Sequence, residues 1–344
     1  MTTMLSIIER IPDEAAAWEY MEELRWKGRP ECPHCGETGR VYFLKPRAGA
    51  RSTSTGAASA RRLWKCGACR KQFSVLVGTI MHGSKIPLRT WVLVIFEMAA
   101  NKNGVSAREI ERRYGVTAKS AWFLLHRIRE AMRSDGLGVL GGGGAVVVAD
   151  ETFIGGKVRN KHKQGKPKRH PVGAGARSGP AYGKVAVLTL VDRSTGEARS
   201  RVVPDVTGKT LRKAISEHVD MAGSVLHTDA STSYVVLGKE FIDHQSVDHS
   251  SNQYVRYAKG GHISSNQCEN FFSQLKRSLD GTHHHVSRKH LGRYLGEFDT
   301  RYSTRGLDDG ARMAVIVDRM VGRRLTYRPL VENDPTVGWV AGTG

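Results

Sequence analysis

The apolar positions of this chain follow two different periods, and the change falls at a run of glycines. Before it, apolar residues recur every three or four positions, the spacing of a helix face. After it they gather in short unbroken runs, as in strands buried within a sheet. In the first part, residues 13–24 read as a helix whose opening acids, Asp13 and Glu14, suit the positive end of the helix dipole. Residues 87–100 are largely apolar, 106–114 form a short stretch and 118–132 a longer amphipathic one, which predicts three further helices. Residues 138–144 hold five glycines, four of them consecutive, and read as a flexible linker.

Beyond the glycines, residues 145–150, 184–193 and 196–204 read as strands, with the turn Ser194-Thr195-Gly196 between the last two. Residues 210–219 have a helical pattern, 225–229 a buried strand, 233–241 a second helix and 244–248 a short strand. Serine-capped helices follow at 264–279 and 287–301. Strands first, then helix and strand in alternation, predict an α/β fold with a mixed sheet flanked by helices. No internal repeat interrupts this order.

Residues 106–128 have helix-turn-helix form. Gly115 ends the first helix, Val116 plugs the turn and Thr117 caps the second. In that arrangement Lys119, Ser120, Trp122 and His126 face a DNA groove, although a plain helical hairpin has the same pattern.

Charge sharpens the choice of partner. Lys and Arg number 53 against 33 acids among 344 residues, a formal charge of +20. A chain this basic favours a polyanion, because each phosphate it neutralises releases condensed counterions. Double-stranded DNA is the expected partner. Membrane is not, since no apolar run approaches the ~20 residues of a spanning helix, and the acids near the N-terminus do not suit a secretory signal. The length allows two or three domains.

Four of the five cysteines form two CxxC pairs, Cys32 with Cys35 and Cys66 with Cys69. Each such turn presents two sulfurs, and four thiolates make a closed tetrahedral zinc site with a structural role. A redox pair is the alternative. Cysteines used this way suit a reducing compartment, so a cytoplasmic protein is expected, associated with the nucleoid when bound to DNA.

The acids carry the candidate chemistry. Asp150 and Asp229 each close an apolar run, and Glu269 falls on a predicted helix with His262 and Asn266 at positions i and i+4 to its i+7. Two carboxylates at strand ends and a third on a helix could hold paired Mg²⁺ or Mn²⁺ ions for phosphoryl transfer. Either aspartate taken singly could equally cap a turn. Lys276 returns to the face of Glu269 and could hold a phosphate, while Asn266 and His262 could bond a metal water or a phosphate. Glu151 points to the opposite face of its strand and is set aside. Between the first two strands, residues 157–170 are dense in lysine and arginine without an acid. Lys161, Lys163, Lys168 and Arg169 would clamp DNA there; a solvated loop is the alternative.

The segments Asp150-Glu151-Thr152-Phe153-Ile154-Gly155-Gly156-Lys157 and His227-Thr228-Asp229 and the run from Asn266 through Glu269 to Leu275-Lys276-Arg277 follow the cysteine pairs in order. With Gly281-Thr282-His283, Val286-Ser287, His290-Leu291, Tyr294 and Glu297-Phe298, the chain resembles the bacterial insertion-sequence transposases that join an N-terminal zinc ribbon to an RNase H-like DDE domain. The resemblance spans residues 13–305. It departs at Asn270-Phe271-Phe272, where a glycine and an aromatic pair are expected, which bears on helix packing more than on metal binding.

The resemblance implies an RNase H-like sheet, binding of terminal repeats by the N-terminal modules, and Asp150, Asp229 and Glu269 as a metal-binding triad. It also implies paired copies on DNA. The expected division is a helical segment (1–30), zinc ribbon (31–80), helix-turn-helix (85–135), linker (136–144), catalytic domain (145–305) and tail (306–344). Strand cleavage and transfer is the leading function. A silent DNA-binding regulator derived from such an enzyme and a simple metal-dependent nuclease are the alternatives.

Overall fold

The computed structural model describes residues 2–45, 60–155, 184–248, 255–258 and 261–331. They divide into two units, residues 1–132 with 307–327 and residues 133–306 with 328–344. No described helix is long and apolar enough to cross a membrane.

In the first unit, α1 (Met4–Arg10) begins with a reciprocal cap between Thr3 and Ser6, and α2 (Glu14–Trp26) with Asp13, whose carboxylate accepts from the Ala16 amide. Three short antiparallel strands follow, β1 (Val41–Phe43), β2 (Trp64–Cys66) and β3 (Gln72–Phe73), in the order β1-β2-β3. Helix α3 (Leu88–Ala100) is apolar on nearly every side and is buried accordingly, including Trp91, Ile95 and Met98. Then come α4 (Ala107–Tyr114) and α5 (Ala118–Met132). A capping box of Ser106 and Glu109 starts α4, and Gly115, at φ +64°, ends it in the left-handed conformation that a side chain would strain.

Residues 306–344, expected as a tail, include a helix at Asp309–Asp318 that packs on α3. Met313, Ile316 and Val317 make an apolar stripe at helical spacing that joins the core of this unit. The partner of that stripe lies some two hundred positions earlier, which is why the stripe does not stand out in a local pattern.

The second unit is built on a five-stranded sheet. After β4 (Leu140–Gly141) come β5 (Ala145–Ile154), β6 (Val185–Asp192), β7 (Ala198–Val203), α6 (Gly208–Ser216), β8 (Val219–Asp220), β9 (Ser224–Asp229) and β10 (Asp243–Val247). A hairpin of β11 (Arg256–Ala258) and β12 (Gly261–Ile263) precedes α7 (Asn266–Ser278) and α8 (Arg288–Ser303). The sheet order is β10-β9-β5-β6-β7, with β5, β6 and β7 antiparallel, β9 parallel to β5, and β10 parallel to β9. This is the RNase H-like topology. Leu211 and Ile215 of α6 cover one face together with Tyr234, while Phe271, Leu275, Leu291 and Phe298 of α7 and α8 cover the other.

Two local expectations change here. The glycine tract is not a loose linker: Leu140 and Gly141 pair in parallel with Val219 and Asp220, and Gly141 sits at φ +77°, where a Cβ would also collide with the Ser224 hydroxyl. The segment expected as a helix at 233–241 forms two 3₁₀ turns, Thr232–Tyr234 and Leu237–Glu240.

Candidate active site

Strand pairing brings the two aspartates onto neighbouring strands. β5 and β9 run in parallel with Val147 opposite Leu226 and Val148 opposite His227. The paired register ends there, two residues before Asp150 on β5 and Asp229 on β9; beyond it Asp150 pairs with Thr189 of β6 and Asp229 with Val247 of β10. Because side chains alternate along β5, Asp150 shares the face of Val148, which packs under α7 and α8.

Helix α7 lies directly on this point. The Cys268 thiol is 3.6 Å from the carbonyls of both Val148 and Thr189, and Thr189 is the cross-strand partner of Asp150. Cys268 is fully buried, and its neighbour Glu269 is half-buried in the first turn of α7, where the helix dipole favours a negative charge. The Ser265 hydroxyl donates to Glu269 at 3.4 Å, and the Ser231 amide donates to Asp229 at 3.1 Å.

Electrostatics tie these acids together. Burial pushes the Asp150 carboxyl up to about 8, and the charges of Glu151, Asp229 and Glu269 push the same way. The Glu151 amide, 2.7 Å from Asp150 Oδ1, opposes them only in part. Glu151 itself is raised to about 7, first by burial, with Asp229 adding to the shift and the Tyr234 hydroxyl opposing it. The acids are not gathered into one coordination shell; among the described residues only the four cysteines lie that close together. Hard carboxylate oxygens that destabilise one another's charge suit Mg²⁺ or Mn²⁺, whose positive charge would offset the repulsion.

Glu151 is the acid that sequence reasoning set aside. It does point to the opposite face, where Ala149, Leu188 and Tyr234 pack, yet its charge still reaches Asp150 and Asp229. The only signal in the sequence was a second acid beside a strand-end aspartate.

The supporting residues separate. Asn266 opens α7 and is exposed, as is Lys276, whose ammonium lies 6.0 Å from the centre of the Phe272 ring. His262 is on β12 and engages Arg193 instead: its carbonyl accepts at 2.8 Å, and its Nε2 lies 2.9 Å from the guanidinium. The Arg193 backbone bonds the Val146 carbonyl, four residues before Asp150 along β5.

The cysteines are preassembled. Cys32 and Cys69 sulfurs are 3.6 Å apart and those of Cys35 and Cys66 3.7 Å, with all four within 4.8 Å of one another. A tetrahedron with Zn–S bonds of about 2.3 Å requires S···S separations of about 3.8 Å. The Cys69 amide, 3.5 Å from the Cys66 sulfur, holds that thiol down at about 7, towards the thiolate that binds metal. This cluster supports structural zinc.

The helix-turn-helix expectation needs one correction. His126 is fully buried within α5, beside Leu125 and Ile128, and its ring packs 4.3 Å from that of Trp122, so it does not face a groove. Nine of the fifteen α5 residues are buried, a wider stripe than a solvent-facing reading helix leaves. Lys119 is exposed with its ammonium 4.7 Å from the Tyr327 ring centre, while Ser120 and Trp122 are half-buried. Lys161, Lys163, Lys168 and Arg169 lie outside the described residues.

A pH prediction follows from the buried acids. Protons that the folded protein holds on Asp150 up to pH about 8 leave the unfolded chain near pH 4. The penalty of this carboxyl is therefore absent below pH 4 and complete above 8. Without added divalent metal, Asp150→Asn and the parent protein should have equal stability at pH 4, with the variant gaining steadily up to pH 8. Denaturant titrations across that range check it, and parallel curves would contradict it.

Comparison with known proteins agrees with the layout. A transposase zinc-ribbon domain matches residues 12–72 and an ISXO2-like transposase domain matches residues 140–303. The chain is also 22% identical over 295 residues to an "uncharacterized protein in transposable element ISH50" of Halobacterium salinarum, across 86% of this chain and 92% of that relative. The first match runs from the start of α2 into β3, and the second from β4 to the last residue of α8. Two domain matches whose limits coincide with the ribbon and the sheet mean that this chain belongs to the insertion-sequence transposases with an N-terminal zinc ribbon.

Proposed function

We propose that this chain is an active DDE transposase that binds the terminal repeats of its element, cuts a DNA strand there and joins the freed end to target DNA. The observation that carries the reading is that β5 and β9 lie side by side in parallel, with α7 against β5, so that the charges of Asp229 and Glu269 both act on Asp150. A turn-capping role for either aspartate gives no reason for three acids from β5, β9 and α7 to act on one another.

Asp150, Asp229 and Glu269 would hold two divalent cations, which when bound activate the attacking oxygen and stabilise the leaving one. Lys276, on the exposed side of α7, neutralises a phosphate of the strand. Asn266, at the helix start, donates to a second phosphate oxygen. In the first reaction water attacks phosphorus and the 3′ oxygen leaves, taking up a proton to become a hydroxyl. In the second, that hydroxyl attacks a target phosphorus, a target oxygen departs and one P–O bond replaces another. No covalent link to the protein forms.

DNA engagement rests on the +20 charge, the α4–α5 hairpin and the lysine-rich segment 157–170. Two element ends call for at least two copies of the chain on DNA. The test is a labelled element-end duplex incubated with the purified chain and Mn²⁺. Nicked and joined products are expected. Nicking without joining would make it a nuclease, and end binding without nicking a regulator.

A further inference from the structure

Tyr234 is fully buried, in the 3₁₀ turn that starts three residues after Asp229. Its hydroxyl donates to the Glu151 carboxylate, the residue next to Asp150. The turn is pinned elsewhere as well. The Ser231 amide bonds the Asp229 carboxylate at 3.1 Å, and the Ser233 hydroxyl bonds the Val206 carbonyl at 2.9 Å. Gly208, at the start of α6, lies so close that a Cβ there would come within 2.9 Å of the Ser233 carbonyl oxygen. The segment after Asp229 is thus held against α6, and one side-chain hydrogen bond links it to β5.

We propose that Tyr234 and Glu151 are positioning residues for the paired aspartates, tying the chain after Asp229 to the chain after Asp150 from the face of the sheet opposite α7. Packing alone does not explain the pair. A phenylalanine ring would fill the Tyr234 site without a hydroxyl to satisfy, and a carboxylate buried beside two others is unfavourable for folding. The hydrogen bond gives both groups a function: it joins the turn after Asp229 to β5 just past Asp150 and so limits how far the two chains can separate there. In a site that must present oxygens at ion-binding separation, that restraint is worth affinity for the ion.

The inference rests on the DDE reading, and the experiment separates the two. Mn²⁺ binding to the zinc-loaded full chain is measured by titration calorimetry without DNA, beside thermal melts, for the parent, Asp150→Ala, Tyr234→Phe, Glu151→Gln and Glu151→Ala. Loss of Mn²⁺ binding in Asp150→Ala supports the metal site itself; binding unchanged there removes the DDE reading and this inference with it. Tyr234→Phe should melt near the parent and bind Mn²⁺ about tenfold more weakly, the usual cost of losing an outer-shell partner. Its cleavage should recover when Mn²⁺ is raised. Glu151→Gln keeps an oxygen to accept the hydroxyl and should bind more tightly than Glu151→Ala. A folded Tyr234→Phe with parental Mn²⁺ affinity overturns the inference, as does equal affinity in the two Glu151 variants. If Tyr234→Phe does not fold, the Gln-versus-Ala comparison decides alone.

Discussion

Alanine at Asp150, Asp229 or Glu269 is expected to lower the rate of strand cleavage by roughly 10³ or more while leaving binding to the element end intact. Each carboxylate would hold a cation that supplies several kcal/mol of charge stabilisation in the transition state, and about 4 kcal/mol corresponds to roughly a thousandfold in rate. On the proposed reading, end binding would rest on the other unit and on phosphate contacts, neither of which these substitutions touch. Stability should move the other way from activity. Removing Asp150 relieves the burial of a carboxyl that this burial, with the charges around it, lifts to about 8, so the metal-free variant should be at least as stable as the parent at pH 8. A turn-capping aspartate behaves oppositely: its loss costs about 1 kcal/mol and leaves the rate alone. Single-turnover cleavage measured beside denaturant titrations distinguishes the cases, and a variant that cuts at the parental rate leaves the triad.

The second large effect concerns zinc. Cys66→Ala should unfold the ribbon and abolish binding to element ends. A sheet of three short strands, the last of only two residues, cannot sustain itself by burial, whereas structural zinc contributes about 10–16 kcal/mol of binding energy to such a fold. The ribbon carries its own reporter. Trp26 packs edge-on against Trp64 at 5.6 Å and against Phe73 at 6.0 Å, so opening the ribbon exposes both indoles. Zinc content by atomic emission should fall from one ion per chain towards zero, with a red shift in tryptophan fluorescence. A zinc-free variant that keeps the parental emission and binds element ends would show that the cluster does not hold this region together.

Much of the local structure could be read directly from short windows. Asp13 and Ser106 cap helices that start where the pattern placed them, and Gly115 ends one. The apolar runs after the glycine tract become β5, β6, β7 and β9 with shifts of a few residues at their ends. β5 extends to Ile154 because its antiparallel partner β6 continues to pair there, a fact that no property of residues 151–154 announces. Local pattern misleads where a residue's surroundings, not its type, set its role. His126 has the chemistry of a DNA-reading side chain, yet it turns into the core. Alternation puts Glu151 on the face opposite Asp150, but charge acts through the sheet as well as along its face.

By itself the sequence determined the kinds of parts: a four-thiolate zinc ligand set, amphipathic helices, buried strands and acids at the ends of two of them. Those follow from spacing within a few residues, where backbone geometry leaves little choice. Only the tertiary structure decided that β5 and β9 run side by side in parallel, that α7 packs against β5 at Cys268, that Tyr234 reaches Glu151, and that residues 309–318 complete the first core. Each of these depends on strand register or packing between segments far apart in the chain, and such contacts are chosen by the free energy of the whole fold, which no local window contains.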